Sequence, residues 1–265
     1  MARIGVAATA PFGADVLERL AARHEIAFCL TRLDRPAGRG RRLIPPPAKV
    51  AALRLGIPVL QPERLDASVE LPAEQIVACA YGVIVPVGLL ERHLWLNIHP
   101  SLLPRWRGAA PVERAIMAGD AETGVTIIRL VEELDAGPIA AQRAFPIGPE
   151  DDAGAVFRRS ADVAVELLDV VFAAPAFEPQ PAAGRTYAEK LTAADRALDL
   201  TDPPDELLRR IRALSPHIGA RATLDGRDVT IWAARIERGR LVPVEVQPDG
   251  RRRMTYDAFL RGLRA

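Results

Sequence analysis

Asn97 and His99 stand two residues apart in the stretch LNIHPSLLPRWRGAAP. In an extended segment side chains alternate faces, so this pair projects from one side while Leu96 and Ile98 project from the other. A donor amide beside an ionisable imidazole is a combination suited to catalysis, one group holding an oxygen and the other moving a proton. A second polar cluster follows in LVEELDAGP, whose Glu132, Glu133 and Asp135 are rival carboxylates. Asp135 precedes a turn that can aim it at the same edge, but spacing alone does not choose among the three. The four histidines and two cysteines show no metal-ligand spacing, so no metal is expected. The first βα junction, VAATAPFGADV, lacks the G-x-G-x-x-G pattern, which speaks against NAD, and phosphate-loop spacing is absent.

The elements that must carry these groups alternate along the chain. The runs RIGVAAT, EIAFCLT, IPVLQP, EQIVACAYG, LWLNIHP and GVTIIRLV read as strands. Helical patterns cover 13–23, 47–55 and 111–118, with prolines near the first turn, where a missing N–H costs nothing. Such alternation predicts an α/β fold, a mostly parallel Rossmann-like sheet covered by helices. Asn97 and His99 then fall at the carboxyl end of a strand, where open α/β sheets place their ligands. A long helix over 152–172 closes a domain expected to span 1–176. The Pro- and Ala-rich APAFEPQPAAGRTYAEKL reads as a linker, assigned to 177–190. Residues 191–265 change character. A helix over 205–213 precedes the alternating strands ARATLDGRDVTIWAARI and RLVPVEVQ, with Asp225-Gly226 as a hairpin signal and Trp232 as a core residue. This small β-rich module carries 14 arginines against 11 acidic residues, a mildly basic balance.

At 265 residues, 49% hydrophobic and 26% charged, the chain has an ordinary globular composition. Its net charge of +1 leaves room for a local basic patch. One is visible in RLDRPAGRGRRLIPPP, where Arg32, Arg35, Arg39, Arg41 and Arg42 are opposed only by Asp34. This is either a solvated loop or a phosphate-contacting finger, because guanidinium forks match phosphate oxygens. Only the finger predicts binding that weakens steeply with salt. Trp106 and Arg107 read either as a packing anchor and a surface charge or as a substrate rim. Cys29 and Cys79 sit in apolar runs and read as buried free thiols of a reducing compartment. No run approaches ~20 apolar residues, so no membrane span is expected and a cytoplasmic protein is; with no large exposed apolar stripe evident, a monomer is expected.

Taken in order, NIHPSLLPRWRGAAP, AGDAETGVTIIRLVEELDAG, DRPAGRGRRLIPPPAKV, GIPVLQP, AYGVIVP and TYAEKL resemble the formyltransferases that use 10-formyltetrahydrofolate. The arginine loop together with TYAEKL is similar to the branch of that family acting on initiator methionyl-tRNA, rather than to those acting on glycinamide ribonucleotide or amino-sugars. The resemblance implies the formyltransferase fold with a small OB-like barrel at the C-terminus, truncated here between IWAARI and RLVPVEVQ. It implies that Asn97, His99 and Asp135 are the catalytic trio. It assigns Tyr81, Ile84, Val85, Ser101, Leu102, Leu103 and Pro104 to the folate, and Arg35, Arg39, Arg41 and Arg42 to the tRNA, Arg39 matching an arginine associated with the acceptor end. The first turn departs from the family in reading ATAPFG. Three rival activities stay open: formylation of a small amine, hydrolysis releasing formate, and non-catalytic binding of RNA or folate.

Overall fold

The computed structural model describes residues 1–37 and 42–264. The chain begins with β1 (Arg3–Ala8), α1 (Pro11–Ala21), β2 (Glu25–Leu30), β3 (Arg35–Ala37), β4 (Arg42–Ile44) and α2 (Pro47–Arg54). It continues through β5 (Val59–Leu60), β6 (Gln75–Cys79), α3 (Val87–Arg92), β7 (Leu94–His99), β8 (Arg107–Gly108), α4 (Pro111–Ala118) and β9 (Glu122–Arg129). Next come β10 (Ile139–Pro146), α5 (Ala153–Ala173), β11 (Tyr187–Ala188), α6 (Ala193–Arg196) and α7 (Pro204–Leu214). The last elements are β12 (Ala220–Leu224), β13 (Arg227–Glu237), β14 (Arg240–Pro248), β15 (Met254–Thr255) and α8 (Tyr256–Arg264).

Two compact units divide this chain. The first comprises Met1–Arg107, Gly124–Ala144 and Arg158–Thr186; the second comprises Gly108–Thr123, Phe145–Phe157 and Tyr187–Ala265. Most of the stretch expected as a linker therefore falls within the first unit.

The first unit is built on a seven-stranded sheet in the order β10-β9-β7-β6-β1-β2-β5. Neighbours from β7 through β5 pair in parallel, so the carboxyl ends of β1, β2, β6 and β7 share one edge. Five of the six β1 residues are buried, as expected of a strand covered on both faces. Phe28, Ile76, Leu89 and Trp95 anchor one core cluster, and Trp95 Nε1 donates to Leu89 O at 3.0 Å. Cys29 and Cys79 are buried free thiols, and burial pushes Cys29 up to about 12. The helix expected over 13–23 starts instead at Pro11, whose ring suits the first turn. β10 carries an Ala- and Arg-bearing sequence with little alternation, which explains why no strand is predicted there.

The second unit holds a four-stranded antiparallel sheet, β12-β13-β14-β15, which is the expected C-terminal β module. Its two tight turns place Asp225-Gly226 and Arg238-Gly239 at positive φ, as two-residue hairpins require. Ile211, Leu214, Val229, Ile231, Val246 and Phe259 form its core. Trp232 corrects the expectation of a core residue. Alternation sets it opposite the buried Ile231, and it is half-buried beneath the Arg253 guanidinium, 3.5 Å from the ring centroid. Helix α8, absent from the sequence reading, supplies Phe259 to this core. Among the described residues, no helix is long and apolar enough to cross a membrane.

Candidate active site

Strand β7 delivers Asn97 and His99 from its carboxyl end while Leu96 and Ile98 are buried from the opposite face. His99 is 4% exposed, and its Nε2 lies 2.7 Å from Trp106 O. A carbonyl only accepts, so Nε2 carries the proton in this arrangement and Nδ1 is the nitrogen left for chemistry. Nδ1 lies 3.7 Å from Asp135 Oδ2. Asn97 Nδ2 donates to Asp135 Oδ1 at 3.4 Å, leaving one amide hydrogen for another acceptor. One carboxylate thus faces both members of the pair.

Asp135 reaches this edge through a turn, and the direction of β9 makes that turn necessary. β9 runs antiparallel to β7, pairing His99 with Thr126 and Leu96 with Arg129, so its end lies away from the His99 tip. The chain after β9 has to fold back. It does so through Asp135 at φ +48° and Gly137, where a Cβ would sit 1.7 Å from Arg129 O. The rival carboxylates point elsewhere: Glu133 is exposed and accepts from Arg107 Nη1 at 3.2 Å, and Glu132 is exposed.

Arg107 is neither a surface charge nor a rim residue. It is 3% exposed, and its Nε and Nη2 donate to Gln180 Oε1 at 3.1 and 2.7 Å. The Gln180 amide in turn donates to Asp135 O at 2.7 Å and Gly137 O at 2.8 Å. Nothing in a Pro- and Ala-rich stretch marks Gln180 as special, and sequence reasoning missed it.

The residues assigned to folate divide into two groups. Tyr81, Ile84 and Val85 occupy the loop after β6, which meets the loop after β1 where Ala10 N donates to Ala80 O at 3.3 Å. Tyr81 is buried, its phenol is pushed up to about 12 by that burial, and its carbonyl accepts from Thr9 Oγ1 at 2.9 Å. Ile84 is 89% exposed. Ser101, Leu103 and Pro104 are buried and Leu102 is half-buried. Ser101 Oγ donates to Arg105 O at 2.7 Å, and Leu103 N donates to Thr126 Oγ1 at 3.1 Å, so both groups are engaged in shaping their loop. Of the arginines, Arg35 and Arg42 are exposed on the paired strands β3 and β4, while Arg39 and Arg41 lie outside the described residues. Lys49 Nζ holds Asp34 at 2.8 and 2.9 Å, so the acid that opposed these arginines is neutralised by its own partner and held below the usual carboxylate range. Among the described residues no cluster of metal-ligating side chains occurs.

An open α/β sheet that brings an amide, an imidazole and a carboxylate together at one strand tip sets hydrogen-bonding and acid–base groups where such sheets bind their ligands. Residues 3–171 match the formyl transferase family and residues 190–241 match the formyl transferase C-terminal domain. Methionyl-tRNA formyltransferase of Halorhodospira halophila is 46% identical over 257 residues, covering 90% of this chain and 81% of that protein. Two solved structures share the fold. The Clostridium thermocellum methionyl-tRNA formyltransferase superposes with a TM-score of 0.66 at 14% identity, covering 94% of this chain and 99% of that one. Aquifex aeolicus HypX in complex with tetrahydrofolic acid superposes at 0.67 with 17% identity, covering 98% of this chain. The chain spans about half of HypX, 47% of its length. The chain belongs to the formyl transferase family.

Proposed function

We propose that this enzyme moves the formyl group of 10-formyltetrahydrofolate to the α-amine of methionyl-charged initiator tRNA, releasing tetrahydrofolate. In that reaction the amine nitrogen bonds to the formyl carbon, and the bond from that carbon to N10 breaks. The amine loses one proton and N10 gains one. Asn97 gives its remaining amide hydrogen to the formyl oxygen as charge collects there. His99, held by Trp106 O, offers Nδ1, and with Asp135 it takes the amine proton and returns it to N10. The observation carrying this reading is the Asp135 carboxylate at 3.4 Å from the Asn97 amide and 3.7 Å from His99 Nδ1.

The folate is a substrate whose planar pterin suits the loop at Tyr81, Ile84 and Val85, where Ile84 exposes an apolar side chain. Ser101 to Pro104 form the neighbouring wall and set its shape. The tRNA acceptor end carries phosphates that suit the exposed Arg35 and Arg42 together with Arg39 and Arg41. A small-amine acceptor has no use for such an arm, and this favours the tRNA. A cytoplasmic location belongs to the same reading, supported by two buried free thiols, and a monomer is part of it. The test is transfer of labelled formyl to charged initiator tRNA, with uncharged tRNA and an amino-sugar nucleotide in parallel. Label on the charged tRNA alone is expected. Label on the sugar, or free formate without transfer, would replace this reading with one of its rivals.

A further inference from the structure

Gln180 uses its whole hydrogen-bonding capacity on the two loops that bear the site. Its oxygen accepts twice from the buried Arg107, and its amide donates to the carbonyls of Asp135 and Gly137. The orientation of this amide is unambiguous, because a guanidinium only donates and a carbonyl only accepts. The same segment reaches the loop that holds His99. Trp106 N donates to Thr186 Oγ1 at 2.9 Å, Arg107 N donates to Thr186 O at 2.9 Å, and Trp106 O is the acceptor for His99. Glu178 exchanges both backbone bonds with Ile139, at 2.7 and 2.9 Å, just beyond the Asp135 turn.

Asp135 and Trp106, both non-glycine, sit at φ +48° and +64°, a conformation that persists where the surroundings over-determine it. Residues 178–186 provide that over-determination for both loops at once. We propose that Gln180 is a positioning residue for formyl transfer. It fixes the Asp135 turn against Arg107, so the carboxylate faces Asn97 and His99 together, and a stretch that reads as a spacer is part of the catalytic scaffold. This inference rests on the assignment of Asp135 to the reaction.

The experiment compares Gln180→Ala, Gln180→Glu and Asp135→Asn in the full chain by steady-state formyl transfer and thermal unfolding. Glu keeps the acceptor for Arg107 but sets an oxygen against two carbonyls. Both Gln180 variants are expected to lose roughly 10- to 100-fold in kcat, the scale of a misplacement of about 1 Å. KM for folate and for tRNA should stay within about two-fold, since neither substrate site is touched. Should Gln180→Ala fail to fold, Gln180→Glu decides alone. A folded variant with kcat within about two-fold of the parent overturns the proposal, as does a rise in KM that parallels the fall in kcat. Full turnover in Asp135→Asn would instead remove the assignment on which the proposal stands.

Discussion

At the scale of single residues, the site asks for three groups with distinct duties, and each duty has its own signature. Asn97 has one free amide hydrogen, and losing one oxyanion donor costs roughly 2.7–4 kcal/mol of barrier. Asn97→Ala should therefore cut kcat about 100-fold or more while the fold persists, and His99→Ala should cost more; single-turnover kinetics on both variants would check this. Glu113, in the first turn of α4, is a different case. Its Oε2 is buried without a hydrogen-bond partner, and desolvation pushes its carboxyl up to about 6. A carboxyl raised above its unfolded value of 4.5 stabilises the fold at low pH, and that contribution disappears as pH rises through about 6. The shift corresponds to about 2 kcal/mol. Glu113→Gln should raise the unfolding midpoint at pH 8, leave it nearly unchanged at about pH 3.5, below the unfolded value, and flatten the profile between.

At the scale of elements, the antiparallel direction of β9 dictates the geometry of the acid. Because the strand ends on the far side of the Leu96–Arg129 pair, only a tight return over its own carbonyl brings Asp135 to β7. Gly137→Ala would press a Cβ into Arg129 O and shift that return. A stability loss of about 1–3 kcal/mol is expected from the overpacking. A fall in kcat of roughly 100-fold should accompany it, because the turn carries the carboxylate; denaturant unfolding and turnover on one preparation would separate the two effects. The β3–β4 arm is the other decisive element. Asp34 is tied to Lys49 and Gln61, and Arg35 and Arg42 are exposed on the arm itself.

At the scale of the molecule, a net charge of +1 provides no long-range pull on a polyanion, so any attraction for RNA is local. The KM for tRNA should therefore climb steeply with salt while the KM for folate stays nearly flat. Arg42→Ala should weaken tRNA use and lower the slope of log KM against log salt by about 0.7 to 0.9, the share of one phosphate contact. Titrations between 50 and 200 mM salt would show whether the slope changes.

Periodicity and motif order made much of this protein legible beforehand. The parallel strands are β-branched runs bounded by turn residues, α4 spans the expected 111–118, and Asp225-Gly226 announces its hairpin. The shared face of Asn97 and His99 follows from strand alternation, a local property that needs no tertiary information. Other features depended on partners distant in the chain. Arg107 is buried where Gln180, 73 residues away, accepts its hydrogen bonds. Trp232, on the face opposite the core, has its ring covered by Arg253 from elsewhere in the chain. The choice of Asp135 over Glu132 and Glu133 as the acid facing the pair required the fold-back after an antiparallel strand. Local sequence determines which face a side chain takes, whereas the direction of a neighbouring strand and the far end of a hydrogen bond exist only once the chain is packed.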